Sequence, residues 1–299
     1  MAQLYYVKPG DTLAKIAQRF GTTIDALLLA NVVCSPNLIL VGLPLIIPTP
    51  GQDLPKAGAI PYYVIQPGDS LWCLANQFNI SIPILARNNQ ILNPNRIFPG
   101  KELVLVDTIP NPVQLKEHWQ QTGGPNCEIY GFQAHVLYVY TFAWAALGRR
   151  AIPYLLDLLR HHCAEIRYYT VMSLGRIGQD LRVSYALRDL LRDPDESVAN
   201  LAALAIRRIE LVRQGQKRVH LVINPDTLLP EPYFLQPEHP KAVKLPMGTA
   251  VTVLRWFIPS PTGEEGPRGG IQQYDYVQVV GTGQTGFLAR KGLDEINFI

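Results

Sequence analysis

Cysteine is scarce in this 299-residue chain: there are four, and none sits in a CxxC or beside a histidine pair at ligand spacing. That pattern argues against a zinc site. With no export signal in view, Cys34, Cys73, Cys127 and Cys163 are expected to be free thiols. Charge is also sparse, at 17% of residues with a net +3. No segment gathers the concentrated basic field that nucleic-acid binding needs. The longest apolar runs, 38–47 and 136–147, fall short of the ~20 residues that cross a bilayer, so no membrane span is expected. The opening MAQLYYVKPGDTL has no charged segment followed by an apolar one, so a cleaved secretory signal is not expected. GxSxG, SxxK, P-loop and HExxH motifs are missing, and the acidic residues of 112–215 fall on helix surfaces or repeat turns rather than across a cleft. Neither catalysis nor a metal or cofactor is expected.

What the chain does have is an internal repeat. Residues 5–48 align with 62–106 if one residue is inserted near Ile65, pairing Tyr6/Tyr63, Pro9/Pro67, Gly10/Gly68, Asp11/Asp69, Leu13/Leu71, Ala17/Ala75, Phe20/Phe78, Asn31/Asn89, Pro36/Pro94, Asn37/Asn95, Ile39/Ile97 and Gly42/Gly100. Each copy reads as strand, helix, helix, strand. Pro9-Gly10-Asp11 stops a first strand at Tyr5–Val7. Leu13, Ile16, Ala17 and Phe20 then recur at the spacing of one helix face, and Gly21 closes that helix. Thr23, or Ser81 in the second copy, is placed to cap a second helix whose buried stripe is Ile24, Leu27 and Leu28. A last strand covers Leu43–Ile47, and Tyr6, Leu13, Phe20 and Leu45 are expected to meet in a small core.

The run YxVxxGDxL, a short amphipathic helix, an Asn closing the second helix and a PGxxLxI-like strand resemble the LysM family. The resemblance implies a βααβ fold and non-catalytic binding of glycans bearing N-acetylglucosamine, chiefly peptidoglycan and chitin oligomers. It places groove residues at Gly10, Asp11, Thr12, Leu13, Leu38 and Ile39 in the first copy. In the second they are Gly68, Asp69, Ser70, Leu71, Arg96 and Ile97. Backbone groups beside a glycine suit an acetamido group, and an aliphatic side chain suits its methyl. Asp11 and Asp69 also fit a plain turn-forming role, and Leu13 and Leu71 read as half core, half groove. Val41-Gly42-Leu43 stands where the second copy has Pro99-Gly100-Lys101, so the first groove is expected to be distorted. A linker of about a dozen residues between the copies suggests avidity through effective concentration.

Residues 49–61 and 107–112 are rich in proline and glycine, as linkers are. Beyond them the period turns helical. Residues 152–178 and 185–210 match as helical hairpins, pairing Asp157/Asp189, Leu158/Leu190, Leu159/Leu191, Ile166/Val198 and Ile177/Ile209. They resemble HEAT-like repeats, with a degenerate first unit over 113–148, and this resemblance implies either docking of a protein partner or a spacer. His161 and His162 lie about 100° apart on a helix and read as a helix-end or turn pair. Trp119, Trp144, Tyr168 and Tyr169 read as packing residues.

From Lys217 onward short strands alternate with turns, ending in RKGL, as in a small barrel. The pattern LPMGTAVTV, YVQV, GQTGFLA resembles bacterial Src-homology-3-like domains, with Tyr276 before the third-strand Val and Gly286-Phe287-Leu288 for the usual G-W-V. The expected organisation is multidomain α+β: LysM copies at 1–50 and 61–107, HEAT-like helices at 112–214 and a β-barrel at 217–299. The expected partner is peptidoglycan or a chitin-type glycan, at the bacterial cell envelope or spore surface. A wall hydrolase with an unrecognised catalytic domain and a spore coat or cortex adaptor are the competing readings.

Overall fold

A computed structural model of the chain describes residues 2–58, 60–178, 180–233, 239–292 and 295–299. The first third holds two units of the same build: β1 (Gln3–Tyr6), α1 (Leu13–Phe20), α2 (Ile24–Ala30) and β2 (Pro44–Ile47), then β3 (Tyr62–Val64), α3 (Leu71–Phe78), α4 (Ile82–Asn88) and β4 (Glu102–Val104). In each unit the two strands pair antiparallel, Tyr5 opposite Leu45 and Tyr63 opposite Leu103. Thr12 and Ser70 cap the first helices by accepting from the amides of Lys15 and Cys73. Gly21, at φ 63°, closes α1 in the left-handed region that a glycine enters at little cost. Thr23 caps α2 as expected by accepting from the Ala26 amide, but Ser81, followed by Pro83 in the first turn of α4, makes no side-chain cap bond.

The register between the copies differs from the expected one. Tyr5 and Tyr63 are the equivalent tyrosines: each hydroxyl donates to the aspartate six residues on, Asp11 and Asp69, and each ring packs on its own helix through Phe20 or Phe78. No inserted residue is needed, and Tyr6 points the other way, out of its own unit and against Tyr276. Because side chains alternate along a strand, Leu45 and Ile47 face the helices of the first unit while Ile46 packs with Leu229, Ile258 and Phe287 of the C-terminal part. Ile24 stays largely exposed, so the buried stripe of α2 narrows to Leu27, Ala30 and part of Leu28. Asn31 and Asn89 act as identical clamps. Each side chain donates to a helix carbonyl four residues back and to a carbonyl of the last strand, and accepts that strand's amide.

Helices α5 (Pro112–Gln121), α6 (Phe132–Leu147), α7 (Ile152–Leu158), α8 (Ala164–Ile177), α9 (Leu181–Asp189) and α10 (Glu196–Arg213) follow. Trp119 and Trp144 are buried edge to face at 5.8 Å, as packing residues should be. Arg167 reaches from α8 to form a forked ion pair with Asp193, joining successive hairpins at 2.7 Å. The last part contains β5 (Val219–Leu221), β6 (Asp226–Leu228), β7 (Val243–Leu245), β8 (Ala250–Pro259), β9 (Gln273–Val279) and β10 (Thr285–Ala289). Among the described residues these form an open antiparallel sheet, β10-β9-β8-β5, with a separate β6–β7 ribbon bridged to β10 at Leu229 and Phe287. A closed barrel is not what they make. The outer edge of β5 is taken instead by the chain's last residues, Leu221 and Ile299 exchanging backbone bonds at 2.9 and 3.0 Å. Leu293, in the expected closing RKGL, lies outside the described residues.

Two further expectations change. The four cysteines form two disulfides, Cys34–Cys73 and Cys127–Cys163, with Cα separations of 5.8 and 5.3 Å. Pairing depends on tertiary proximity, which spacings of 39 and 36 residues do not reveal. Nor is the first linker loose: Ala57 pairs with Ala30 and Val32, Gly58 donates to the Phe257 carbonyl, and the Ile60 carbonyl accepts from Arg290. That arginine is buried with Asp275 in a 2.5 Å ion pair at 0% and 1% exposure, and Asp275 also accepts the amide of Phe257. Removing one partner of such a pair leaves a buried charge without its counter-ion. Asp275→Ala is therefore expected to lower unfolding free energy by about 3–5 kcal/mol, read as a fall in the urea midpoint followed by tryptophan fluorescence.

Candidate functional site

The turn after the first strand is built alike in both copies. Gly10 and Gly68 take φ values of 82° and 87°, which only glycine adopts cheaply. The carboxylate of Asp11 then accepts the Lys8 amide at 2.8 Å and the Tyr5 hydroxyl at 2.5 Å, while Asp69 accepts the Gln66 amide and the Tyr63 hydroxyl at 2.7 Å each. Both aspartates are thus occupied in holding the turn, the role that Asp commonly plays there. Thr12 and Ser70 are occupied as helix caps. Leu13 and Leu71 are each 2% exposed and belong to the cores, so the half-groove reading fails for both. Their place at the first helical position points them at the strands.

The other expected wall behaves differently. Leu38 is 51% exposed, Ile39 half-buried, Arg96 exposed and Ile97 half-buried. The turn without the proline keeps the same backbone as the one with it: Gly42 and Gly100 have φ of 83° and 80°, and each donates at 2.7 Å to the carbonyl just after the first strand, Val7 or Ile65. In the second copy Arg96 and Ile97 line a cavity of about 350 Å³ with Leu92 and Phe98, floored by Ile65. The Arg96 guanidinium stands 5.6 Å from the Phe98 ring centre. The Gly68–Leu71 turn is not part of that lining.

Residues missed from sequence are Trp72, 68% exposed beside the second turn, the fully exposed Leu92, and Phe98, 56% exposed. A signal existed, since Trp72 falls off the Leu71, Leu74, Ala75, Phe78 stripe and therefore had to face outward. His161 and His162 occupy the turn after α7, stacked at 4.5 Å and next to backbone carbonyls of Gln120 and Gly124. The ligand-type atoms of Cys127, His162 and Cys163 cluster, but the two sulfurs are bonded to each other.

The two turns differ electrostatically. Hydrogen bonds from Tyr5 and the Lys8 amide, with nearby Arg19, hold Asp11 below the ordinary carboxylate range. Burial pushes Asp69 above it, outweighing the bonds from the Gln66 amide and Tyr63. By linkage, the contribution of Asp11 to stability is present above its unfolded value and is lost as pH falls through its folded one. That of Asp69 is present in acid and is lost as pH rises through its raised folded value. A carboxyl carbon NMR titration is expected to place the Asp69 midpoint above, and the Asp11 midpoint below, the ordinary ~3.9 of aspartate.

Comparison with known proteins matches a LysM domain profile at residues 5–48 and again at 63–106, both without the inserted residue, and a HEAT repeats profile at 138–207. The secreted LysM effector ECP6 of Passalora fulva is 34% identical over 125 residues, 36% of this chain and 54% of that protein. An autolysin of Enterococcus faecalis is 34% identical over 112 residues, 34% of this chain and 15% of that protein. The N-acetylmuramoyl-L-alanine amidase XlyA of Bacillus subtilis is 42% identical over 66 residues, 22% of each. The chain spans about half the length of the first of these relatives and far less of the other two. Two solved structures, the spore cortex-lytic enzymes SleL of Bacillus cereus and Bacillus megaterium, match at 18% and 11% identity. They cover 58% and 96% of this chain, and it covers 47% and 88% of theirs; at TM-scores of 0.18 neither carries an argument. No helix among the described residues is long and apolar enough to cross a membrane. The chain carries two consecutive LysM domains followed by a segment of HEAT repeats.

Proposed function

We propose that this protein binds glycans bearing N-acetylglucosamine, peptidoglycan or a chitin-type polymer, through its LysM domains and without catalysis. The observation that carries the reading is the repeated turn. In both copies an aspartate and a tyrosine hydroxyl spend their hydrogen bonds on fixing a glycine-containing loop, leaving backbone and aliphatic groups such as Leu38 at the surface. Rigid loop backbone beside an apolar side chain suits an acetamido group and the C–H face of a pyranose. Gly10 to Leu13, Leu38, Ile39, Gly68 to Leu71, Arg96 and Ile97 remain the proposed neighbourhood, with Leu13 and Leu71 acting from beneath as supports rather than as contacts. The LysM effector, autolysin and N-acetylmuramoyl-L-alanine amidase relatives support the same substrate class, and a place at the cell envelope or spore surface is proposed with it.

The helical segment and the C-terminal sheet serve as a scaffold in this reading. Tyr62 of the second LysM domain packs on Phe142 of α6 and Trp256 of β8, and Glu102 accepts from His220 and Trp256. The C-terminal strands with the β6–β7 ribbon are read as an opened relative of the Src-homology-3-like pattern. A protein partner on the helical repeats is a second role compatible with that scaffold.

The full chain is expected to sediment with insoluble peptidoglycan and chitin. Leu38→Asp, at an exposed position and checked for folding by circular dichroism, is expected to weaken retention about tenfold, the equivalent of about 1.4 kcal/mol. Aspartate at Leu13 or Leu71 would unfold a core and test nothing. Failure of the wild type to bind either polymer overturns the reading, and steady clearing of a peptidoglycan suspension would replace it with the hydrolase.

A further inference from the structure

We infer that the two LysM domains are unequal receptors: the turn of the first is open to ligand, whereas that of the second is already engaged by the first domain's own Ser35. This rests on the glycan-binding reading above and assigns which copy does the binding. The argument starts from one carbonyl. In the first copy the Gly10 carbonyl accepts from the Lys15 ammonium at 2.8 Å; in the second the Gly68 carbonyl accepts from the Ser35 hydroxyl at 2.7 Å.

Both donors are tied to one position of the repeat, directly in the first copy and through a disulfide in the second. Lys15 and Cys73 occupy the same position, each giving its amide to the capping hydroxyl three residues before, Thr12 or Ser70. Cys73 is disulfide-bonded to Cys34, the neighbour of Ser35. The first copy therefore covers its carbonyl with an exposed, flexible ammonium that a ligand displaces at little cost. The second covers it with a hydroxyl whose neighbouring residue, Cys34, is anchored by the disulfide. Val32, buried in the core of the second domain, fixes the near end of the same segment.

Space tells the same story. A Cβ built on Gly10 would meet nothing within 4 Å, whereas one on Gly68 would stand 2.6 Å from Ser35 Oγ and 3.1 Å from Leu38 Cδ2. Gly68 still reaches solvent on its far side, so binding at the second copy is weakened rather than abolished. Losing one backbone acceptor and one flank of the turn costs about the value of a hydrogen bond, read as a several-fold loss of affinity.

The test is an amide NMR titration of the full chain, disulfides intact, with a soluble tetramer of N-acetylglucosamine. The amides of Gly10 and Thr12 are expected to titrate with a midpoint at least several-fold lower than those of Gly68 and Ser70. Ser35→Ala, which keeps the disulfide, and the triple variant Cys34→Ser, Cys73→Ser, Ser35→Gly are expected to narrow that gap from the second-copy side. Equal midpoints in the wild type, or an earlier midpoint at Gly68, overturn the inference. So does a gap that neither variant changes, because the cover would not be its cause. If no amide in either copy moves, the glycan reading itself fails and takes the inference with it.

Discussion

A two-stranded ribbon has two faces, and a LysM repeat has helices enough to cover one of them. That constraint shapes the rest of the molecule. Side chains alternate along each strand, so Tyr5 and Leu45 turn inward to α1 and α2 while Tyr6 and Ile46 must be buried against something else. In this chain the something else is the C-terminal sheet, through Tyr274, Tyr276 and Phe287 for the first copy. For the second copy it is a mixed wall of helix and sheet, through Tyr62 and Val104 with Phe142 and Trp256. Small units gain apolar burial this way that they could not supply alone.

Once both ribbons are seated on the sheet, the segments between them lose the freedom their composition suggests. Pro- and Gly-rich linkers are flexible when nothing pairs with them; here Ala57 and Gly58 are paired to the first domain and to β8, and Asn88 draws in the carbonyls of Val106 and Thr108. The effective-concentration argument for a floppy tether between the copies therefore does not apply. The two disulfides fall at similar junctions, Cys34–Cys73 between the LysM domains and Cys127–Cys163 between α5–α6 and α7–α8. They restrain contacts between units rather than closing a core within one.

Local structure was legible in the sequence wherever a residue's own chemistry decides it. Gly10 in its turn, Gly21 at the end of α1, Thr23 at a helix start and the α1 stripe all follow from backbone and periodicity, whereas Thr12, expected in the groove, is a helix cap. The LysM and HEAT patterns were likewise visible because repetition writes them twice. Illegible was whatever depends on a distant partner. The Asn31/Asn89 identity was plain, yet its clamp role requires the last strand's carbonyl to be in reach. The Tyr6/Tyr63 pairing looked natural until the hydroxyls of Tyr5 and Tyr63 were found on Asp11 and Asp69. Cysteine pairing and the filling of the β5 edge by Phe298 and Ile299 stay hidden for the same reason.

The differences between the copies follow from where each one sits. The first presents its turn outward and keeps water-loving donors around it: Lys15 on the Gly10 carbonyl and Arg19 on Asp11. The second has Cys73 and Gln77 at those positions, one bonded to Cys34 and the other to Lys56 of the linker. Cations that stabilise an exposed turn would be costly in a turn pressed against a neighbour, where an ammonium loses hydration without gaining a carboxylate. Half-burial fits the change of residue type and raises Asp69 above the carboxylate range, while bonds from Tyr5 and the Lys8 amide, with Arg19, hold Asp11 below it. One fold written twice gives two chemically distinct turns because the first domain's Ser35 segment flanks the second turn, whereas nothing stands within 4 Å of a Cβ built on Gly10 in the first.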